Sequence, residues 1–103
     1  MVPQHHPLPL FPAVVRDLSL VVARDLLWAE LSETVVRAAG PTLEAVPYLD
    51  TFRGGNLPED QQSVHFSMVF RHPERTLTGE EVEQAVRSVV EGCEARFHAK
   101  LRG

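Results

Sequence analysis

The sequence predicts an α+β fold: a four-stranded antiparallel sheet with two helices on one face. Three observations lead there. Residues 63–70 alternate, with Val64, Phe66, Met68 and Phe70 on one side and Ser63, His65, Ser67 and Val69 on the other, the period of a half-buried strand. Two stretches with apolar residues at helical spacing, 26–39 and 79–97, separate the strand-like segments. Between Tyr48–Arg53 and that alternating strand lies Gly54-Gly55-Asn56-Leu57-Pro58-Glu59-Asp60, a run of turn formers that suits a hairpin with a long polar loop.

Taken in order, residues 1–12 hold Pro3, Pro7, Pro9 and Pro12, half of the eight prolines. They read as an extended proline-rich linker or chain-end segment ahead of a domain over 13–103. His5 and His6 sit there without further ligands, too few donors for a zinc site. Val14 to Val22 is the first strand, with Leu18, Leu20 and Val22 on one face and Asp17, Ser19 and Val21 on the other. Asp25 is an N-cap candidate for the first helix, whose buried stripe is Trp28, Leu31, Val35 and Ala38, and Gly40-Pro41 stops it. The second strand runs from about Leu43 to Arg53 and the third from about Gln62 to Arg71. Thr78 with Glu81 forms a capping box for a helix with Val82, Val86, Val89, Cys93 and Phe97 on its core stripe, and Ala99 to Arg102 suits a short last strand. The order β-α-β-β-α-β is that of the ferredoxin-like plait. It leaves one sheet face uncovered, and that face is the candidate binding surface.

At 103 residues and 44% hydrophobic, the chain supports one core. No apolar run approaches the roughly 20 residues that span a bilayer, and no signal-peptide pattern opens the chain. The single cysteine, Cys93, excludes an internal disulfide and suggests a reducing, cytoplasmic setting. Net charge is −4, with nine arginines and Lys100 as the basic residues. Nucleic-acid binders are usually basic, so bulk charge argues mildly against one. Distribution qualifies this: Glu30, Glu33, Glu80, Glu81, Glu83, Glu91 and Glu94, half of the 14 acids, fall in the two helices, which leaves the far sheet face free to be neutral or basic.

No P-loop, dinucleotide-type glycine turn, Cys-x-x-Cys or His-Glu-x-x-His is present. Ser63 or Ser67 with His65 shares a strand face, but nothing marks an oxyanion site, so no catalytic residue, cofactor or metal is assigned. The open face should carry Asp17, Ser19, Val21, Asp50, Phe52, Ser63, His65, Ser67 and Val69. An exposed ring on a sheet stacks unpaired bases, at about 1–3 kcal/mol per base, and small hydroxyls leave room for base edges. A ring that plugs the sheet end or packs against the proline-rich lead-in is the equal alternative from spacing alone. Arg16, Arg53 and Arg71 are candidate phosphate contacts at the rim, or solvated strand-end arginines.

Four blocks then match a known family. Phe11 to Val22, FPAVVRDLSLVV, resembles the "FPAxxRDLxxVV" opening of the anticodon-binding domain that ends the β subunit of bacterial phenylalanyl-tRNA synthetase. Tyr48 to Gly54 resembles its "LFDxYxG", Leu57-Pro58-Glu59 with Ser63 its "LPEGxKS", and Phe70 to Val82 its "FRxPxRTLTDEEV". The blocks keep the family order and spacing over residues 11–102. The resemblance implies a ferredoxin-fold domain that grips the tRNA(Phe) anticodon on its sheet face. The aromatic that stacks the first anticodon base maps to Phe52, without the usual tyrosine hydroxyl, while the family serine maps to Ser63 and the small residue after "RDL" to Ser19. The family lysine and glycine of the loop are Gln62 and Asp60 here, and Arg75 takes a structural role at the helix entry. The resemblance further implies that aminoacylation, with its ATP and magnesium, belongs to other domains of a much longer β subunit and to the α subunit.

Three readings compete on fold alone. A small-molecule regulatory domain of the ACT type calls for a glycine-bearing loop after the first strand, where Ala23-Arg24-Asp25 offers none. An RNA-recognition motif calls for aromatics and glycine in the third strand, where this chain has Ser63, His65 and Ser67. An acylphosphatase-like enzyme calls for a phosphate-cradling loop that is also missing.

Overall fold

A computed structural model describes residues 11–102 of the chain. The proline-rich lead-in with His5 and His6 lies, up to residue 10, outside the described residues. The elements are β1 (Val14–Ala23), α1 (Trp28–Ala39), β2 (Leu43–Ala45), β3 (Tyr48–Phe52), β4 (Gln61–Phe70), α2 (Gly79–Phe97) and β5 (Lys100–Leu101). All pairings are antiparallel. β4 and β1 are central, β5 flanks β1, and β2 and β3 both pair with β4. This is the ferredoxin-like arrangement that the alternation and the capping box imply.

β1 and β4 pair along their full length, from Val14 opposite Phe70 to Ala23 opposite Gln61. That register puts Leu18, Leu20 and Val22 beside Phe66, Val64 and Gln62 on the helix side. There they join Met68, Phe70, Leu31, Val35, Val82, Val89 and Cys93 in one buried core. Trp28 flanks it, its ring 5.5 Å from Phe66 and 5.4 Å from Tyr48. Burial pushes the Cys93 thiol up to about 11, which suits a small buried hydrophobe and not a nucleophile.

Several boundaries differ from the sequence expectation. The second strand is not continuous over 43–53: it breaks at Val46-Pro47, since proline has no N–H for the ladder. Arg71 N–H to the Thr42 carbonyl and Ser67 N–H to the Pro47 carbonyl, both 2.9 Å, hold the chain on either side of the break. The register then shifts between Tyr48 and Asp50, a bulge that turns Tyr48 toward the helix side opposite Phe66. Asp25 does not cap α1. It lies in the turn closed by Leu26 N–H to the Ala23 carbonyl (3.1 Å), and Leu27 stands at the N-cap with no side-chain bond. Thr34 and Ala39 are buried on α1 where Trp28 and Ala38 were expected to be, and these two are only partly buried. Thr34 is satisfied there, since its hydroxyl donates to the Glu30 carbonyl (3.2 Å) and accepts from Arg96 (3.3 Å). The two helices touch where Gly92 meets Ala38: a Cβ on Gly92 would stand 3.2 Å from the Ala38 methyl.

The α2 capping box forms as the sequence implies. Glu81 N–H donates to the Thr78 hydroxyl (3.1 Å), and Thr78 N–H donates to the Glu81 carboxylate (2.9 Å). Arg75 adds a two-pronged bond, Nη1 at 2.6 Å. Arg75 first, and the Thr78 backbone second, hold the Glu81 carboxyl down to about 2 from an ordinary 4.5. A depressed carboxyl favours the folded state above the unfolded value, and this contribution fades as pH falls from about 4.5 toward about 2. The group is solvent-exposed, so the effect is small. Thermal midpoints recorded from neutral pH down to about 2 should show a shallower acid decline for Glu81→Gln than for the parent; equal slopes would assign the decline to other carboxylates.

Candidate nucleic-acid interface

Both helices cover one sheet face, so the odd-numbered positions of β1 and β4 point the other way. The register assembles them into rows. Phe52, Ser63, Val21 and Lys100 form one row across β3, β4, β1 and β5. Asp50, His65 and Ser19 form the next, and the Arg102 N–H donates to the Ser19 carbonyl at 2.8 Å. Ser67 opposite Asp17 and Val69 opposite Val15 complete the face. The bulge at the start of β3 decides this alignment. By strict alternation Tyr48 would share a face with Asp50 and Phe52; instead Tyr48 joins Thr51 on the helix side, their hydroxyls 2.6 Å apart.

Phe52 is 47% exposed, a large share for a phenylalanine ring. Gly55 backs it: with φ at +60°, a conformation glycine adopts readily, its Cα passes so near that a Cβ would stand 3.2 Å from Cζ of the ring. The guanidinium of Arg102 lies 5.1 Å from the Phe52 ring centroid, a cation–π contact. His65 Nδ1 is 3.6 Å from the Asp50 carboxylate, and both side chains are accessible.

Ser63 and Ser67 are on this face, but they are not open. Ser63 is 4% exposed and Ser67 8%. The Ser67 hydroxyl donates to Asp17 across the strand pair, which ties both groups together. Ser63 lies directly across from Phe52, whose side chain is far larger. Small residues between long cross-strand neighbours are shaded by them, whatever their parity.

Arg16 and Arg53 stand elsewhere. Arg16 pairs with Met68 in the ladder and so points to the helix side, where its Nε is 3.8 Å from Glu83 of α2. Arg53 Nε donates to the Gln62 side chain at 3.0 Å. It borders a groove of about 410 Å³ between β3 and the start of α1, with Trp28, Tyr48 and Gln62. Arg71 is bound to Glu44 and to the Phe11 carbonyl, each at 2.7 Å. Of the three arginines expected at the rim, Arg16 and Arg53 thus point to the helix side, while Arg71 is held at the sheet end by Glu44 and the Phe11 carbonyl. The basic residues that stand beside the Phe52 and Asp50 rows are Lys100 and Arg102. A strand reading of 99–102 contains that signal, since Lys100 and Arg102 share a parity, but not the pairing with Val21 and Ser19 that places them.

Chemically the face offers a ring, hydroxyls, carboxylates, an imidazole and cations, groups suited to recognition by stacking, hydrogen bonding and charge. Among the described residues no cluster of three His, Cys, Asp or Glu side chains suits a metal ion, and no helix is long and apolar enough to cross a membrane.

Comparison with known proteins agrees with the fold. The chain is 38% identical over 100 residues to the phenylalanine–tRNA ligase β subunit of Geobacillus kaustophilus, covering 97% of this chain and 12% of that protein. It is 39% identical over 101 residues to the β subunit from Moorella thermoacetica (98% and 13%) and 37% identical over 100 residues to that from Thermotoga maritima (97% and 13%). The chain thus spans about an eighth of the length of these relatives. The family description that matches residues 9–102 is the ferredoxin-fold anticodon binding domain. With the plait, its uncovered face and that match together, this chain belongs to the ferredoxin-fold anticodon binding domain family.

Proposed function

We propose that this domain binds the anticodon of tRNA(Phe) on its helix-free sheet face, as a module of a phenylalanine–tRNA ligase β subunit. The observation that carries the reading is the half-exposed Phe52 ring at the head of a row with Ser63 and beside Asp50, His65 and Ser19. The ring stacks one anticodon base, and Ser19, Asp50, His65 and Ser63 lie in reach of its edges. Ser67, bound to Asp17, shapes the floor. Residues 13–103 form the binding unit, and 1–12 lead into it from the rest of the subunit. Arg16 and Arg53 hold the scaffold through Glu83 and Gln62 and do not grip phosphate. Aminoacylation in the cytoplasm, with ATP and magnesium, belongs to other domains of the β subunit and to the α subunit.

The test is an NMR titration of the chain with a stem-loop bearing the phenylalanine anticodon, against one with a scrambled anticodon. Shifts confined to Ser19, Asp50, Phe52, Ser63 and His65, and seen with the first RNA only, are the expected result. Equal shifts with both RNAs would reduce the face to a nonspecific RNA surface. Shifts centred on the helices would reject it.

A further inference from the structure

Arg102 is the one residue on this face whose position blocks the proposed function as the face stands. It follows β5, on the opposite edge of the sheet from Phe52. Three strand spacings of about 4.8 Å separate those edges, so the two side chains lean toward each other over β1 and β4 to bring the guanidinium 5.1 Å from the ring centroid. Ser63, on β4 beneath that crossing, is 4% exposed. A base that stacks on Phe52 needs the space that the guanidinium occupies. The ring has no room to retreat toward the hairpin loop, because Gly55 is already against it.

We propose that Arg102 is the lid and then the second plate of the base slot. In the free domain it rests on Phe52 and closes the slot over Ser63. When RNA arrives its side chain lifts off the ring, and the planar guanidinium stacks on the far side of the base. The backbone stays in place, pinned by the bond from Arg102 N–H to the Ser19 carbonyl. A stacking role suits arginine, whose delocalised, weakly hydrated plane packs on π-faces. The carboxylates of Asp50 and Asp17 on the same face disfavour a phosphate at this point. This inference rests on the anticodon reading above and adds to it the residue that gates the slot.

The experiment measures binding of the anticodon stem-loop to the parent chain, Arg102→Ala, Arg102→Lys and Phe52→Ala across a salt series. A plate predicts that Arg102→Ala and Arg102→Lys weaken binding alike, on the order of threefold to tenfold, because lysine keeps the charge but lacks the plane. It also predicts that the slope of log K against log salt stays at the parent value. A lid predicts that the Arg102 side-chain Nε–H resonance of the free chain is ring-current shifted, and that Phe52→Ala removes the shift. Arg102→Lys binding like the parent while Arg102→Ala lowers the salt slope by about one would make Arg102 a phosphate contact and overturn the plate. A Nε–H resonance unaffected by Phe52→Ala would overturn the lid. If Phe52→Ala and a scrambled anticodon both leave binding unchanged, the anticodon reading fails and this inference fails with it. If only the Arg102 variants are silent, the inference fails alone.

Discussion

Phe52→Ala is expected to weaken binding of the anticodon stem-loop by about 1–3 kcal/mol, the usual worth of one base stacked on an aromatic ring. Folding should be nearly untouched. The ring is half in solvent, and its partners are Gly55 beneath it and the guanidinium of Arg102, so truncation removes little buried surface. The cation–π contact at such an exposed site is worth about 0.5–1 kcal/mol. Calorimetric titration and thermal melting of the same sample separate the two effects. A parent-like melt with an affinity loss of this size fits a stacking ring. A collapsed melt would assign the ring to the core, and an unchanged affinity would remove Phe52 from the interface. Phe52→Tyr is a useful companion, because it restores the hydroxyl found in the family motif and tests whether that group gains a bond on this face.

Phe66→Ala is expected to do the opposite: to destabilise the domain without touching an RNA contact. Phe66 lies on β4 between His65 and Ser67 but points to the helix side, fully buried and packed against Trp28. Removing a buried phenylalanine side chain costs about 3–5 kcal/mol, through lost transfer energy and the cavity left behind. Total stabilities of small domains are about 5–15 kcal/mol, so this one change takes a large share. Urea denaturation should show the midpoint falling while the slope holds. RNA added in excess should raise the midpoint again by mass action, because the face that binds it is intact in the folded fraction. A loss below about 1 kcal/mol would mean that the space under β4 repacks, against the close packing of such interiors.

Phe52 and Phe66 also mark how far local pattern reaches in this chain. The alternation of β4 places Phe66 inside and Ser63, His65 and Ser67 outside without reference to any other strand, because side-chain parity is a property of extended backbone alone. The Thr78–Glu81 box and the core spacing of Cys93 are equally local, and both appear in the structure where the chain implies them. With the two helices separating the strands in the order found, these patterns are sufficient for the plait and for the identity of its free face.

Exposure on that face is another matter. Parity says which way Ser63 and Ser67 point, but their burial depends on Phe52 and Asp17, neighbours across strand pairs and, for Asp17 and Ser67, 50 residues apart in the chain. The break at Pro47 and the bulge before Asp50 decide that Tyr48 faces the helices while Asp50 and Phe52 face solvent, and an unbroken strand pattern carries no trace of a one-residue insertion. Arg16 looks like a rim cation until the ladder sets it beside Met68, facing Glu83. Arg102 looks like a chain-end residue until β5 joins β1 and sends its side chain over the sheet to Phe52. Each of these outcomes depends on which residues stand opposite one another and on how far long side chains reach over short ones. Those are properties of the closed sheet, and the linear order of residues sets only the conditions under which it closes.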